Sequence, residues 1–67
     1  SVYPNPAENQ LFIDGLDHPE FVLLNAQGQV VLEGTGNAIN TSKIATGWYL
    51  LNVNSEGSTK QFPVIIK

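Results

Sequence analysis

The 67-residue chain contains no cysteine, so neither a disulfide nor a thiolate metal site is open to it. It has no apolar run near the roughly 20 residues a membrane-crossing helix requires. Its start lacks the pattern of a secretory leader. If the chain is exported, the address lies elsewhere in a longer precursor or is this segment itself. Charge is scarce, at 13% of residues, about half the usual share. The three basic residues, Lys43, Lys60 and Lys67, are too scattered for the basic patch that phosphate contacts need, which sets nucleic acid aside. The net charge of −3 is uneven. Glu8, Asp14, Asp17, Glu20 and Glu33 come first, and the lysines follow with only Glu56 against them. Low charge with abundant Asn, Gln, Ser, Thr and Gly fits a secreted or surface β-domain. A chain this short buries only about 60% of its extended surface, and residues 1–67 are expected to form one domain.

Helical signals are missing too. No long stretch repeats its apolar residues at the 3.6 period of a helix. Instead, Gly47-Trp48-Tyr49-Leu50-Leu51-Asn52-Val53 is the longest apolar run, opened by glycine and closed by the turn signal Asn54-Ser55-Glu56-Gly57. Its length suits a strand. Period two puts Tyr49, Leu51 and Val53 on a core face and Trp48, Leu50 and Asn52 on a face partly covered. Such a strand needs neighbours on both edges for its main-chain groups.

The rest of the chain supplies them. Tyr3-Pro4-Asn5-Pro6 is extended, because each proline fixes its own φ and restricts the residue before it. It reads as a rigid lead-in with Tyr3 packed on a sheet. Gln10–Asp14 is a strand ended by Gly15. Phe21–Leu24, the turn Asn25–Gly28 and Gln29–Glu33 form the clearest hairpin, with Gly28 where positive φ is required. Gly34–Asn37 turns, Ala38–Asn40 makes a brief edge strand, and Thr41–Thr46 is a loop plugged by Ile44. Thr59–Ile66 is the last strand, and Pro63 makes it an edge or bulged strand. Short strands with regular turns predict an all-β antiparallel sandwich or barrel. Tyr49, Leu51 and Val53 should be buried with Leu11 or Phe12, Phe21, Leu23 and Val31.

Catalytic patterns are thin. His18 is the one histidine, and a general base needs an orienting partner and a nucleophile. No serine sits in a Gly-x-Ser-x-Gly elbow, and His18 reads as a solvated loop residue. Asp14, Asp17 and Glu20 lack the alternating spacing of a calcium loop. Asn40-Thr41-Ser42 fits a glycosylation acceptor, a pattern frequent by chance. Trp48 would stack on a sugar if free, but on an apolar strand it is expected to be half-buried. The chain is therefore read as no enzyme, with no catalytic, metal or cofactor residues.

In order and spacing these landmarks resemble the C-terminal sorting domain, type A, of the type IX (Por) secretion system of Bacteroidetes. Tyr3-Pro4-Asn5-Pro6 with Leu11-Phe12-Ile13 resembles that family's opening motif and first strand. Phe21–Asn25 with Gly28, Val30 and Val31 resembles its hairpin, Gly47-Trp48-Tyr49-Leu50-Leu51 its Gly-x-Tyr strand, and Phe62–Lys67 its apolar, lysine-ended tail. Departures fall at Gln29, Ala26, Ala45 and Pro63. The resemblance implies a small immunoglobulin-like antiparallel β-sandwich of about seven strands. It also implies a secretion signal that carries an N-terminal cargo domain through the outer-membrane translocon. A sortase-like surface peptidase then removes the signal before Ser1 and leaves the cargo anchored at the cell surface. The implied route runs through the periplasm to the surface or the extracellular space. Signal residues implied are Tyr3, Pro4, Asn5, Pro6, Gly28, Gly47, Tyr49, Val64, Ile65, Ile66 and Lys67. Ile65-Ile66-Lys67 and the rest of the last strand are expected to be read through an open strand edge, unless Val64 and Ile66 only fill the sandwich. The competing view is an immunoglobulin-like adhesion or carbohydrate-binding spacer. A spacer sits anywhere in its parent chain, whereas a sorting domain ends it.

Overall fold

The computed structural model describes residues 1–67. At its centre runs β6 (Gly47–Ser55), with Tyr49, Leu51, Val53 and Ser55 turned inward. Its neighbours are β3 (Glu20–Leu24) on one edge and β7 (Ser58–Ile66) on the other, both antiparallel. The turn from β6 into β7 is made by Glu56 and Gly57, at φ 52° and 80°, the left-handed pair that a tight two-residue hairpin uses. β4 (Val30–Thr35) pairs with β3 and completes a four-stranded sheet of order β4-β3-β6-β7. Opposite it lies a three-stranded sheet of order β1-β2-β5, built from β1 (Val2–Tyr3), β2 (Gln10–Ile13) and β5 (Ala38–Asn40).

This is an antiparallel β-sandwich. Its fourth strand stays beside the third, as in the immunoglobulin-like variants that enlarge that sheet. Both X-Pro bonds of the opening segment, Tyr3-Pro4 and Asn5-Pro6, are cis.

Leu11, Ile13 and Ile39 of one sheet meet Phe21, Leu23, Tyr49, Leu51, Val53, Val64 and Ile66 of the other, with Ala7 closing one side. Each large aliphatic side chain buried here stabilises the fold by about 1.5–3 kcal/mol. Ile44 packs against this core from its loop. The Tyr49 hydroxyl donates to Ala45 O at 2.6 Å. A tyrosine at the start of the sixth strand bonded back to the preceding loop is the tyrosine corner of such sandwiches.

Two expectations from the sequence are corrected. Val31 is 38% exposed, and Leu32 takes the inward place instead. The register of β3 with β4 shifts between Leu23 and Leu24, so Leu23 faces Leu32 while Leu24 faces Val30. Val31 is the extra residue of a bulge, which reverses the parity beyond it. Gly34 and Thr35, expected in a turn, belong to β4. A Cβ on Gly34 would lie 3.0 Å from Phe21 Cζ, so that glycine makes room for a buried ring instead of bending the chain.

Candidate functional site

The last strand divides its side chains strictly. Val64 and Ile66 are fully buried and Ile65 is 47% exposed, with Pro63 and Lys67 also outside. Phe62 is half-buried against the core. Of the tail residues expected to carry a signal, Ile65 and Lys67 are therefore exposed, and Val64 and Ile66 hold the sandwich.

β7 is an edge strand, as Pro63 required. Main-chain groups alternate in direction along a strand. Those of Ser58, Lys60, Phe62, Val64 and Ile66 face β6, and those of Thr59, Gln61, Pro63, Ile65 and Lys67 face away. The expected open edge is open only at Thr59 and Gln61. From Pro63 onward the opening segment covers it. Asn5 Nδ2 donates to Pro63 O (3.2 Å), and the Ile65 N–H donates to Asn5 Oδ1 (3.0 Å). The Ala7 N–H donates to Ile65 O and the Lys67 N–H to Ala7 O, both at 2.8 Å. Ala7 thus makes a parallel bridge with Ile66 and is itself fully buried. The local sequence explains this strap. Pro4, Asn5 and Pro6 bend instead of running extended as the sequence suggested, and the two prolines have no N–H to give. The Asn5 carboxamide, with a donor and an acceptor of its own, serves where their main chain cannot.

Beside this edge the outer face of the four-stranded sheet is apolar. Register sets Val30, Leu24, Leu50 and Pro63 in one row across all four strands, with the pair Trp48 and Ile65 beyond them. Trp48 and Val30 are 50% and 52% exposed. The next rows, Glu33-Val22-Asn52-Gln61 and Thr35-Glu20-Asn54-Thr59, are mostly polar. A contiguous apolar patch at one end of an otherwise polar face is the usual mark of an interaction surface. Sequence reasoning noted this polarity along β6 and expected partial cover with Trp48 half-buried, as the face is.

The other expected signal residues are dispersed. Tyr3 stacks obliquely on Phe12, with ring centroids 5.6 Å apart, on the three-stranded sheet. Gly28 closes the β3–β4 turn at φ 82°, its N–H bonded to Asn25 O. Gly47 pairs with Ile66 at the start of β6. Tyr49 lies inside, opposite Val64, with its hydroxyl engaged at Ala45. His18 is solvated and sits 3.5 Å from Asp17, which is exposed as well. Asp14, Asp17 and Glu20 do not converge into a metal-binding group. What the sequence missed was the strap, and the only hint was an asparagine flanked by two prolines.

Together these features define a small antiparallel β-sandwich whose last strand is part core, part exposed edge. The chain belongs to the secretion system C-terminal sorting domain family, which matches residues 1–67, the whole of its length. It is a sorting signal of the type IX (Por) pathway of Bacteroidetes, for proteins destined for the cell surface or beyond. A search of curated proteins finds no match.

Proposed function

We infer that the chain acts as one recognition unit at the C-terminal end of a larger exported precursor. The translocon of the outer membrane reads the outward side of β7, Ile65 and Lys67, together with the neighbouring Trp48. The match over residues 1–67 carries this reading, and the burial alternation of the tail supports the choice of residues. Ser1 lies at the other end of the sandwich, where the Asp14 N–H donates to its carbonyl. A cargo domain attached there stays clear of Lys67 and Trp48. Tyr3, Pro4, Asn5 and Pro6 contribute by bracing the tail, and Gly28, Gly47, Tyr49, Val64 and Ile66 by shaping the fold that presents it. Passage runs through the periplasm. A sortase-like surface peptidase then cuts before Ser1 and anchors the cargo. Catalysis lies with that peptidase, and this chain supplies no catalytic group, cofactor or metal.

The test is a reporter fused ahead of residues 1–67 in a bacterium with a working type IX system. The reporter is expected at the surface, and Ile65→Ser or Lys67→Ala should retain it in the periplasm while the domain stays folded. Surface delivery undiminished by both changes would remove the tail as the signal. Delivery independent of the whole chain would favour the spacer instead.

A further inference from the structure

We propose that the β7 edge between Pro63 and Lys67 is a strand-acceptor site, closed by Asn5–Ala7 in the isolated domain and filled in the export complex by a parallel extended segment of the partner. This rests on reading the tail as the signal and names how it is read.

The strap itself shows what the site accepts. Four outward groups are met there: Pro63 O, Ile65 N–H, Ile65 O and Lys67 N–H. Only Ala7 meets them as a strand does, in parallel register with Ile66. The other two bonds come from the Asn5 side chain, a substitute for a peptide group. An ordinary extended segment satisfies all four from its own main chain, without fixing a side-chain rotamer. It can also continue past the strap, because the Gln61 and Thr59 main-chain groups lie free along the same edge. Addition of a strand to an exposed sheet edge is a common mode of peptide recognition, in which main-chain bonds give affinity and alternate side chains give specificity.

The surroundings set the partner's chemistry. Ala7 is fully buried, so the residue taking its place must be small. Its two neighbours in the incoming strand stand opposite Ile65 and Lys67 and project to the other face; the one beside Ile65 and the Trp48 patch should be apolar, the one beside Lys67 polar or acidic. The segment sought is extended and parallel to β7, with a small residue preceded by an apolar one and followed by a polar or acidic one. Simple edge protection is the competing account, since a proline-bearing strap blunts an edge against aggregation. The two accounts differ in whether the strap must leave.

The experiment uses the reporter fused to the full chain. Asn5→Cys with Pro63→Cys bridges strap to strand where the Asn5 side chain reaches the Pro63 carbonyl, and its formation is checked by mass spectrometry. A control bridge, Gln10→Cys with Asn40→Cys, joins residues paired across β2 and β5 and leaves the edge alone. The strap bridge should reduce export at least tenfold relative to the control bridge, with recovery on adding dithiothreitol. In parallel, Ile65→Pro removes an outward N–H that a partner strand needs, whereas Gln61→Pro removes one upstream of the acceptor. Export should fail in the first and persist in the second, with both domains folded by circular dichroism. If the strap bridge fails to form, Ile65→Pro is compared with Ile65→Ser: export lower in the proline variant supports the lost main-chain bond, and equal export in the two overturns strand addition. A bridged strap that exports like the control bridge overturns the proposal, as does equal export of the two proline variants. If Ile65→Ser still lowers export in that case, the tail remains the signal and only strand addition is lost. If Ile65→Ser is also exported normally, the reading of the tail falls with it.

Discussion

Tyr49→Phe separates a structural role from a signalling role at a residue that the family motif singles out. The ring is 93% buried by complement of its 7% exposure, and its hydroxyl donates to Ala45 O at 2.6 Å. Phenylalanine keeps the ring and its packing and removes one hydrogen bond, worth about 0.5–1.5 kcal/mol net. Ala45 is exposed, so its carbonyl regains water and no buried acceptor is orphaned. That argues for about 1 kcal/mol in the middle of the range. For a domain of this size such a loss lowers Tm by about 4–8 °C and the urea midpoint by about 1 M at an m-value near 1 kcal/mol/M. Total stability should be about 3–10 kcal/mol. Even at the lower bound about 2 kcal/mol remains, leaving a few per cent unfolded. Thermal melting followed by circular dichroism, with reporter export measured in parallel, tests the argument. The expected result is a lower Tm with export intact. Unchanged melting with lost export would refute it, because the hydroxyl would then be read by a partner and not by Ala45.

Ile66→Ala removes a fully buried side chain and should cost about 2–5 kcal/mol, a large part of the total, so urea melts should show a much earlier midpoint. Asn52→Val should raise Tm by several degrees, because Asn52 Oδ1 is buried without a hydrogen-bond partner and such an acceptor costs about 1–3 kcal/mol; a lower Tm would contradict this. Gly34→Ala places a methyl 3.0 Å from Phe21 Cζ. Overpacking of about 1–3 kcal/mol should outweigh the gain of about 0.4–1 kcal/mol from a stiffer unfolded chain, and the melt should turn favourable in a Phe21→Leu background. Millimolar calcium should leave Tm unchanged, since Asp14, Asp17 and Glu20 do not converge. A rise of several degrees would reveal a native-state site.

The central strand was legible because its apolar run, its opening glycine and its closing turn all point to the same element. The β3–β4 hairpin was legible for the same reason, with Gly28 marking the turn. Parity beyond that turn was not. One inserted residue, Val31, reverses every later face of β4, and nothing in Gln29–Glu33 distinguishes a bulge from a regular strand. Gly34 looked like punctuation because glycine usually is. Its task depends on Phe21, a residue on another strand that meets it only after pairing. The strap was least legible. Its Asn5 bonds to residues 58 and 60 positions away, and local patterning carries no information over that range. The prolines excluded a helix, but the segment bends at Pro4–Pro6 and its destination was left open. The family resemblance joined the two terminal motifs in one function before their contact was visible.

That contact bears on how a signal can be both short and folded. A tail recognised only by sequence would work equally well when unfolded, and its alternate residues would be free to vary. Here Val64 and Ile66 are fully buried and Ile65 lies between them on the outside. Any register slip by one residue would exchange the two sets, placing Ile65 in the core and its neighbours in solvent. The strap opposes such a slip from the free side, because Asn5 engages Pro63 O and the Ile65 N–H together. Pro63 opposes it again, since a shift by one would turn its missing N–H towards β6, where a ladder bond is needed. Correct display of Ile65 and Lys67 is therefore conditional on correct pairing of β7 with β6 and on closure by Asn5–Ala7. A partner that reads these outward positions would sense a completed fold and not a sequence alone.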